Sequence, residues 1–275
     1  MTHLAFIGGG SMAEAIIAGL VDSGTDPESV IIAEPVDARR AELERRYPGC
    51  RCSASSALVA GQAAQLVLAV KPQVMRDVCA DISTAVQGTR PLLISVAAGI
   101  RTGAIADWVG GEPGIVRAMP NQPALLRKGV TGVFANSHCS PEDRQRATEI
   151  LSAVGDVVEV EDELLIDAVT AVSGSGPAYV YLLIQMMTDT GIELGLDASM
   201  SRELAIQTAT GASALAASSD LPMADLIARV RSPGGTTAAA LDQLEAEDVR
   251  AIFARALTAA RDRAGELADQ AELNK

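Results

Sequence analysis

Leu4-Ala5-Phe6-Ile7 runs without a polar residue into Gly8-Gly9-Gly10, and Ser11-Met12-Ala13 follow. No other feature of the chain limits its fold so tightly. The apolar run reads as a buried strand. Beyond the glycines, Met12, Ala15, Ile16 and Leu20 recur at helical spacing, which predicts a helix from about Ser11 to Ser23. Strand, turn and helix together match G-x-G-x-x-A. Gly8 permits the tight turn, Gly10 lets a pyrophosphate approach the backbone, and Ala13 allows close packing of helix on strand. The new helix, opening at Ser11 and Met12, supplies N–H donors to the phosphates. Glu34 then stands about twenty residues on, at the tip of a second apolar strand, Val30 to Ala33. The whole pattern points to dinucleotide binding.

The strand signal returns at Leu66 to Val70, Leu92 to Val96, Ile115 to Ala118 and Asp156 to Val160, with helical text between. Strands alternating with helices imply a parallel sheet covered on both faces. Ser140-Pro141-Glu142-Asp143 marks a helix start, with a capping serine, proline in the first turn and two acids facing the dipole. After about Glu161 the β signal stops, and Leu164 to Ala271 is Ala-rich and helical. The expected fold class is therefore α/β: a doubly wound Rossmann sheet over 1–162, followed by an all-helical domain over 163–275.

Composition narrows the partners. Lys and Arg number 22 against 35 Asp and Glu, a formal charge of −13. Such a chain repels phosphate backbones and anionic lipid, so neither nucleic acid nor a membrane surface is an expected partner. No apolar stretch is long enough to span a bilayer, and no signal-peptide pattern opens the chain, so a cytoplasmic location is expected. Cys50, Cys52, Cys79 and Cys139 lack metal or redox spacing and read as ordinary thiols. With only His3 and His138 present, neither in a motif, a histidine triad or histidine-built metal site is nearly excluded, and no metal is expected.

Ligands of open α/β sheets bind beyond the carboxyl ends of the strands. Those ends here include Ala69-Val70-Lys71-Pro72, Ala97-Ala98-Gly99 and Met119-Pro120-Asn121. The small residues at 97–99 would let a flat ring lie against the backbone. Lys71 is placed to hold the cofactor ribose or steer an anionic substrate, though it reads equally well as an exposed lysine. Glu34 is placed to accept hydrogen bonds from ribose hydroxyls. A 2′-phosphate beside it would meet repulsion of about 4 kcal/mol per charge pair at ~4 Å and an effective dielectric of ~20. That favours NADH slightly over NADPH, although Arg39 or Arg40 could neutralise such a phosphate. In the helical half, Ser175 lies in Ser173-Gly174-Ser175-Gly176-Pro177, which suits tight packing or a helix end facing a cleft. Ser232-Pro233-Gly234-Gly235-Thr236-Thr237 precedes another helix. A Gly-Gly turn, a helix N-terminus and three hydroxyls make an anion cradle for a carboxylate.

Together these motifs, with Arg117-Ala118-Met119-Pro120-Asn121 and Gly176-Pro177-Ala178-Tyr179, resemble pyrroline-5-carboxylate reductase from Leu4 to about Leu244. The resemblance implies hydride transfer from NAD(P)H to the C=N carbon of 1-pyrroline-5-carboxylate, giving L-proline. It places the substrate carboxylate on Ser232 to Thr237 and the Thr237 hydroxyl at the ring nitrogen. Ile7 to Met12, Glu34, the 69–72 and 97–99 segments and Asn121 would hold the cofactor, and Ser56 falls near a cofactor contact of relatives. It also implies that the helical domain builds an interlocked homodimer, often assembled into a larger ring such as a decamer. Leu226 to Arg231 departs from the family's usual text before the Ser-Pro-Gly-Gly turn, and no contact carries over there.

The chemistry agrees with the residues. A protonated cyclic imine needs orientation, an anion cradle and dry surroundings more than a strong acid. The nearest rival, a 3-hydroxyacid dehydrogenase, would resemble its relatives in a catalytic lysine on a second-domain helix, and no lysine lies between Lys128 and Lys275. A cofactor-sensing module without turnover is the reading from another class, and a turnover assay separates the two.

Overall fold

A computed structural model describes residues 3–273. The chain forms two compact units, Met1–Gly174 with Ala260–Lys275, and Ser175–Ala259. In the first, eight strands make one sheet: β1 (His3–Ile7), β2 (Val30–Ala33), β3 (Arg51–Ser53), β4 (Ala63–Leu68), β5 (Leu92–Ser95), β6 (Ile115–Met119), β7 (Gly129–Ala135) and β8 (Gly155–Glu159). Their order is β3-β2-β1-β4-β5-β6-β7-β8. Every neighbouring pair is parallel except β6 with β7. The order turns around between β1 and β4, the topological switch point where such sheets bind ligands.

Near-continuous apolar strands follow from burial on both faces. Leu4 and Phe6 of β1 join one core, with Ile16, Ile17 and Leu20 of helix α1 (Ser11–Asp22), Leu43 of α2 (Asp37–Arg46) and Ile150 of the later helix Pro141–Leu151. Ala5 and Ile7 join the other, with Val59 of α3 (Ser56–Ala60), Met75 and Ile82 of α4 (Pro72–Thr89) and Ile105 of α5 (Thr102–Val109). Alternate residues of one strand thus feed opposite cores, the doubly wound arrangement expected. Helix α6 (Pro141–Leu151) starts as its sequence predicts, with a reciprocal capping box between Ser140 and Asp143.

The compact units divide at 174/175, beyond the 162/163 boundary expected from the sequence. A buried polar cluster accounts for this. Glu163 accepts from the Thr102 N–H at 2.7 Å and the Thr102 hydroxyl at 2.8 Å, capping α5. Arg117, only 2% exposed on β6, reaches Glu163 at 3.5 Å and Asp167 at 3.2 Å. Asp167 lies on α7 (Leu165–Val169), which runs into a wider π-turn over Thr170–Gly174.

The second unit holds α8 (Gly176–Glu193), α9 (Ala198–Ala217), α10 (Met223–Val230) and α11 (Thr236–Ala246). It also contains the first part of α12 (Val249–Leu273), whose last part belongs to the first unit. There Arg101 pairs with Asp269 at 2.8 Å and Glu272 at 3.3 Å. Helices α8 and α9 meet at small residues. A Cβ on Gly191 would sit 2.2 Å from Ser201 Oγ, and that hydroxyl donates to the Thr188 carbonyl at 2.7 Å.

Candidate functional site

The glycine turn sits at the switch point. The Gly8 N–H donates to Ala33 O on the β2 side and the Ala69 N–H to Ile7 O on the β4 side, both at 2.8 Å. Gly8 has φ +96°, and a Cβ there would stand 2.7 Å from Ala69 O, so both conformation and space require glycine. Gly10 is different. Its φ is −71°, and a Cβ would meet nothing within 4 Å. Its bareness faces open space, as a site for close phosphate approach must. The helix behind it begins at Ser11 without a side-chain cap, so its first N–H groups are free of capping side chains. Ala13 is fully buried beneath.

Glu34 turns towards the glycines. Its Oε2 accepts from the Gly9 N–H and its Oε1 from the Val36 N–H, each at 3.0 Å. Neither nearby arginine is loose. Arg39 donates from Nε to the Gly9 carbonyl at 2.8 Å, from Nη2 to Glu14 at 2.5 Å and from Nη1 to Glu42 at 2.7 Å. Those contacts, the hydrogen bond to Glu14 foremost, raise its already high pKa against the effect of burial. Arg40 donates to the Glu34 carbonyl at 2.7 Å and pairs with Asp37.

The remaining sequence-predicted contacts fall at other strand tips and separate by environment. Val70 and Pro72 are half-buried, and Lys71 is exposed at the start of α4. Ser56 is half-buried in the first turn of α3, where Ser55 provides the cap to Leu58 N–H. At 97–99 only Ala98 is exposed. Ala97 belongs to the core, and a Cβ on Gly99 would stand 3.3 Å from Leu267 Cβ. Packing thus favours small residues at 97 and 99, with Gly99 making room for α12. Asn121 is buried and already engaged: it donates to Ser173 O at 3.2 Å and accepts from the Val130 N–H at 3.0 Å. The sequence alone did not show that second duty.

In the second unit, Ser175 is half-buried at the head of α8. At the 232–237 turn Gly234 adopts φ +68°, and the Gly235 N–H donates to Ser232 O at 3.0 Å. A Cβ on Gly235 would lie 2.4 Å from Ser232 Oγ, so Gly235 shapes the turn and its own N–H is spent there. The first intrahelical bond is Ala239 N–H to Gly235 O at 3.2 Å, which leaves the donors of the α11 opening turn pointing out of the helix. Ser232 and Thr236 are exposed, and Thr237 is half-buried.

Burial pushes the Cys79 thiol up to about 12 and the Cys50, Cys52 and Cys139 thiols up to about 11, so none is a ready nucleophile. Among the described residues no group of three or more His, Cys, Asp or Glu side chains is arranged to hold a metal, and no helix is long and apolar enough to cross a membrane.

Comparison with known proteins resolves the family. The chain is 42% identical to the pyrroline-5-carboxylate reductase of Pseudomonas aeruginosa over 268 residues, covering 98% of this chain and 97% of that one. The corresponding Synechocystis protein is 43% identical, with 96% and 98% covered. The chain belongs to the pyrroline-5-carboxylate reductase family. The family model for pyrroline-5-carboxylate reductase dimerisation matches residues 163–267, and that for the NADP oxidoreductase, coenzyme F420-dependent family matches 3–99. A solved pyrroline-5-carboxylate reductase structure from Coxiella burnetii superposes with TM-score 0.92 at 37% identity, covering 97% of this chain and 98% of the other. The Plasmodium falciparum pyrroline carboxylate reductase, solved with NADP bound, gives 0.84 at 29% identity, with 97% and 98% covered. As a member of this family the chain is an NAD(P)H-dependent oxidoreductase of the last step of proline biosynthesis, and it carries the family's dimerisation domain.

Proposed function

We propose that the chain reduces 1-pyrroline-5-carboxylate to L-proline with NADH ahead of NADPH. The carrying observation is the state of the β2 tip: Gly10 opens on empty space, Glu34 holds the Gly9 N–H, and both arginines are already engaged, Arg39 by the Gly9 carbonyl and Arg40 by the Glu34 carbonyl. A ribose with free hydroxyls finds unused lone pairs on the Glu34 carboxylate. A 2′-phosphate finds its negative charge, while Asp37 is paired with Arg40. The residues therefore fit the cofactor: Ile7 to Met12 take the pyrophosphate, Glu34 the adenosine ribose, and the 56, 69–72, 98 and 121 positions the rest.

When bound, the nicotinamide supplies hydride to the C=N carbon. The chain's own task is to bind and orient. The N–H groups opening α11, with the hydroxyls of Ser232 and Thr236 and support from Gly234 and Ser175, hold the substrate carboxylate. Thr237 Oγ meets the ring nitrogen. That nitrogen enters protonated as an iminium, keeps its proton, and becomes a neutral amine as hydride arrives at carbon. Only orientation and charge complementarity are demanded, which suits a site without histidine. Lys71 steers the anionic substrate or holds the cofactor ribose.

Residues 163–275 serve for substrate binding and dimerisation, and the homodimers assemble into a larger ring such as a decamer in the cytoplasm. The test is oxidation of NADH and NADPH with and without 1-pyrroline-5-carboxylate, with chromatographic detection of L-proline and light scattering for particle mass. Substrate-dependent oxidation with NADH at least as good as NADPH is expected. Failure with both cofactors across the working pH range removes the activity, and a strong NADPH preference removes the role given to Glu34.

A further inference from the structure

We infer that Glu14 sets coenzyme choice at a distance, by holding Arg39 on the glycine turn and away from the 2′ position of the adenosine ribose. Glu14 lies on α1, not at the β2 tip, and the sequence gives no hint of such a role. The inference rests on the NADH reading above.

Both backbone polar groups of Gly9 are held. Its N–H is taken by Glu34 and its carbonyl by Arg39 Nε. Arg39 stays in that pose because its two terminal nitrogens are engaged by Glu14 and Glu42. The two acids are not equal. Glu14 has 15% of its side chain exposed, and its second oxygen, Oε1, pairs with Arg46 and accepts from the Tyr47 hydroxyl at 3.4 Å. Glu42 is 42% exposed and meets Arg39 as an i,i+3 neighbour on the same helix. Glu14 is thus the fixed anchor and Glu42 the solvated one.

Arg39 follows Glu34 by five positions and is the cation whose guanidinium already spans to Gly9. Released from Glu14, it has the length and the five donors to pair with a phosphate at the β2 tip. Held by Glu14, it leaves Glu34 as the charge that a 2′-substituent meets. Glu14 is a positioning residue here, acting through Arg39.

The test compares ADP-ribose with its 2′-phosphate by calorimetry, which reads affinity without turnover, alongside kcat/KM for NADH and NADPH. Glu14→Gln should raise the affinity for the 2′-phosphorylated probe relative to the plain one by roughly tenfold, the scale of one hydrogen bond to a charged group. Glu42→Gln should shift the ratio the same way by less. Arg39→Met should abolish both shifts when combined with either change. An unchanged ratio in Glu14→Gln, or a shift that survives Arg39→Met, overturns the inference. If Glu14→Gln does not fold, Glu14→Asp, which keeps the charge and shortens the reach to Arg39, decides it: the ratio should move the same way by less, and an unchanged ratio overturns the inference. The wild-type ratio alone decides the NADH reading, so the two failures are separable.

Discussion

The two compact units bury their side chains very differently. In the first, Phe6, Ile16, Leu66 and Ile82 have no exposed surface at all. In the second, among the described residues, Ala205 is the only buried hydrophobic residue, while Leu182, Leu183 and Met186 on α8 are 58%, 48% and 50% exposed. A helical unit with this surface has not completed its own core. Large exposed apolar faces mark association, and a dimerisation domain is where a second copy would cover them. One unit buries its apolar residues within itself; the other leaves an apolar face open.

The most damaging way to break that contrast is to charge the open face. Leu183→Glu with Met187→Glu places two carboxylates one helical turn apart on α8. Light scattering should then show loss of the dimer, and turnover should disappear. Val158→Glu on β8 is the matched control, since Val158 is 52% exposed in the first unit. It should leave mass and activity intact. A double variant that stays dimeric and active would mean that this face is not the one covered.

Buried charge sharpens the contrast next. Arg117→Met removes the cation between Glu163 and Asp167 inside the first unit. Glu163 keeps its Thr102 donors, but the buried Asp167 carboxylate loses its cation; breaking a buried pair costs about 3–5 kcal/mol, so denaturant midpoints should fall steeply. A small loss would show that water reaches the pair.

Arg117 also shows where the sequence stopped being readable. The strands β1, β2, β4, β5 and β6 were legible because burial on both faces writes uninterrupted apolar runs, and the glycine turn because its φ and clearance tolerate so few residues. Strand β3, Arg51-Cys52-Ser53, was not: it is a short, partly exposed edge strand with no apolar run. Strand β7, beginning Gly129-Val130-Thr131-Gly132, was hidden by glycines. A Cβ on Gly132 would stand 2.4 Å from Val169 Cγ1, a constraint that only the packing reveals. The return of 260–273 to the first unit is carried by long-range pairs such as Arg101 with Asp269, which leave no local periodicity. Near the glycine turn, the place of Glu34 at the tip of β2 was legible from spacing alone. The commitment of Arg39 to Glu14, twenty-five residues away, was not.

A third change probes chemistry in the loosely packed unit. Thr237→Val keeps the side-chain shape and removes the hydroxyl assigned to the substrate nitrogen. A hydrogen bond to a charged group is worth roughly 1.5–3 kcal/mol, so kcat/KM should fall by about ten- to a hundredfold. NADH affinity and melting temperature should stay near wild type. Unchanged kinetics would reduce Thr237 to the helix-opening role it shares with Thr236.

The smallest expected effect completes the contrast with Arg117. Arg231, immediately before the 232–237 turn, pairs with Asp242 of α11 at 2.5 Å, their side chains 37% and 63% exposed. Glu245 adds a weak second contact to Arg231 at 4.0 Å. The pair is shorter than either contact of Arg117, but both its side chains are open to solvent. Solvent weakens the attraction, and holding two long side chains costs entropy, so such pairs contribute about 1 kcal/mol or less. Asp242→Asn should therefore move the denaturant midpoint only slightly. The difference from wild type should shrink further as salt rises towards 1 M, where screening acts within about 3 Å. A loss comparable to that of Arg117→Met, or one indifferent to salt, would mean that the pair is dry in the assembled protein. The surface around the turn would then be covered by a partner subunit rather than open to solvent.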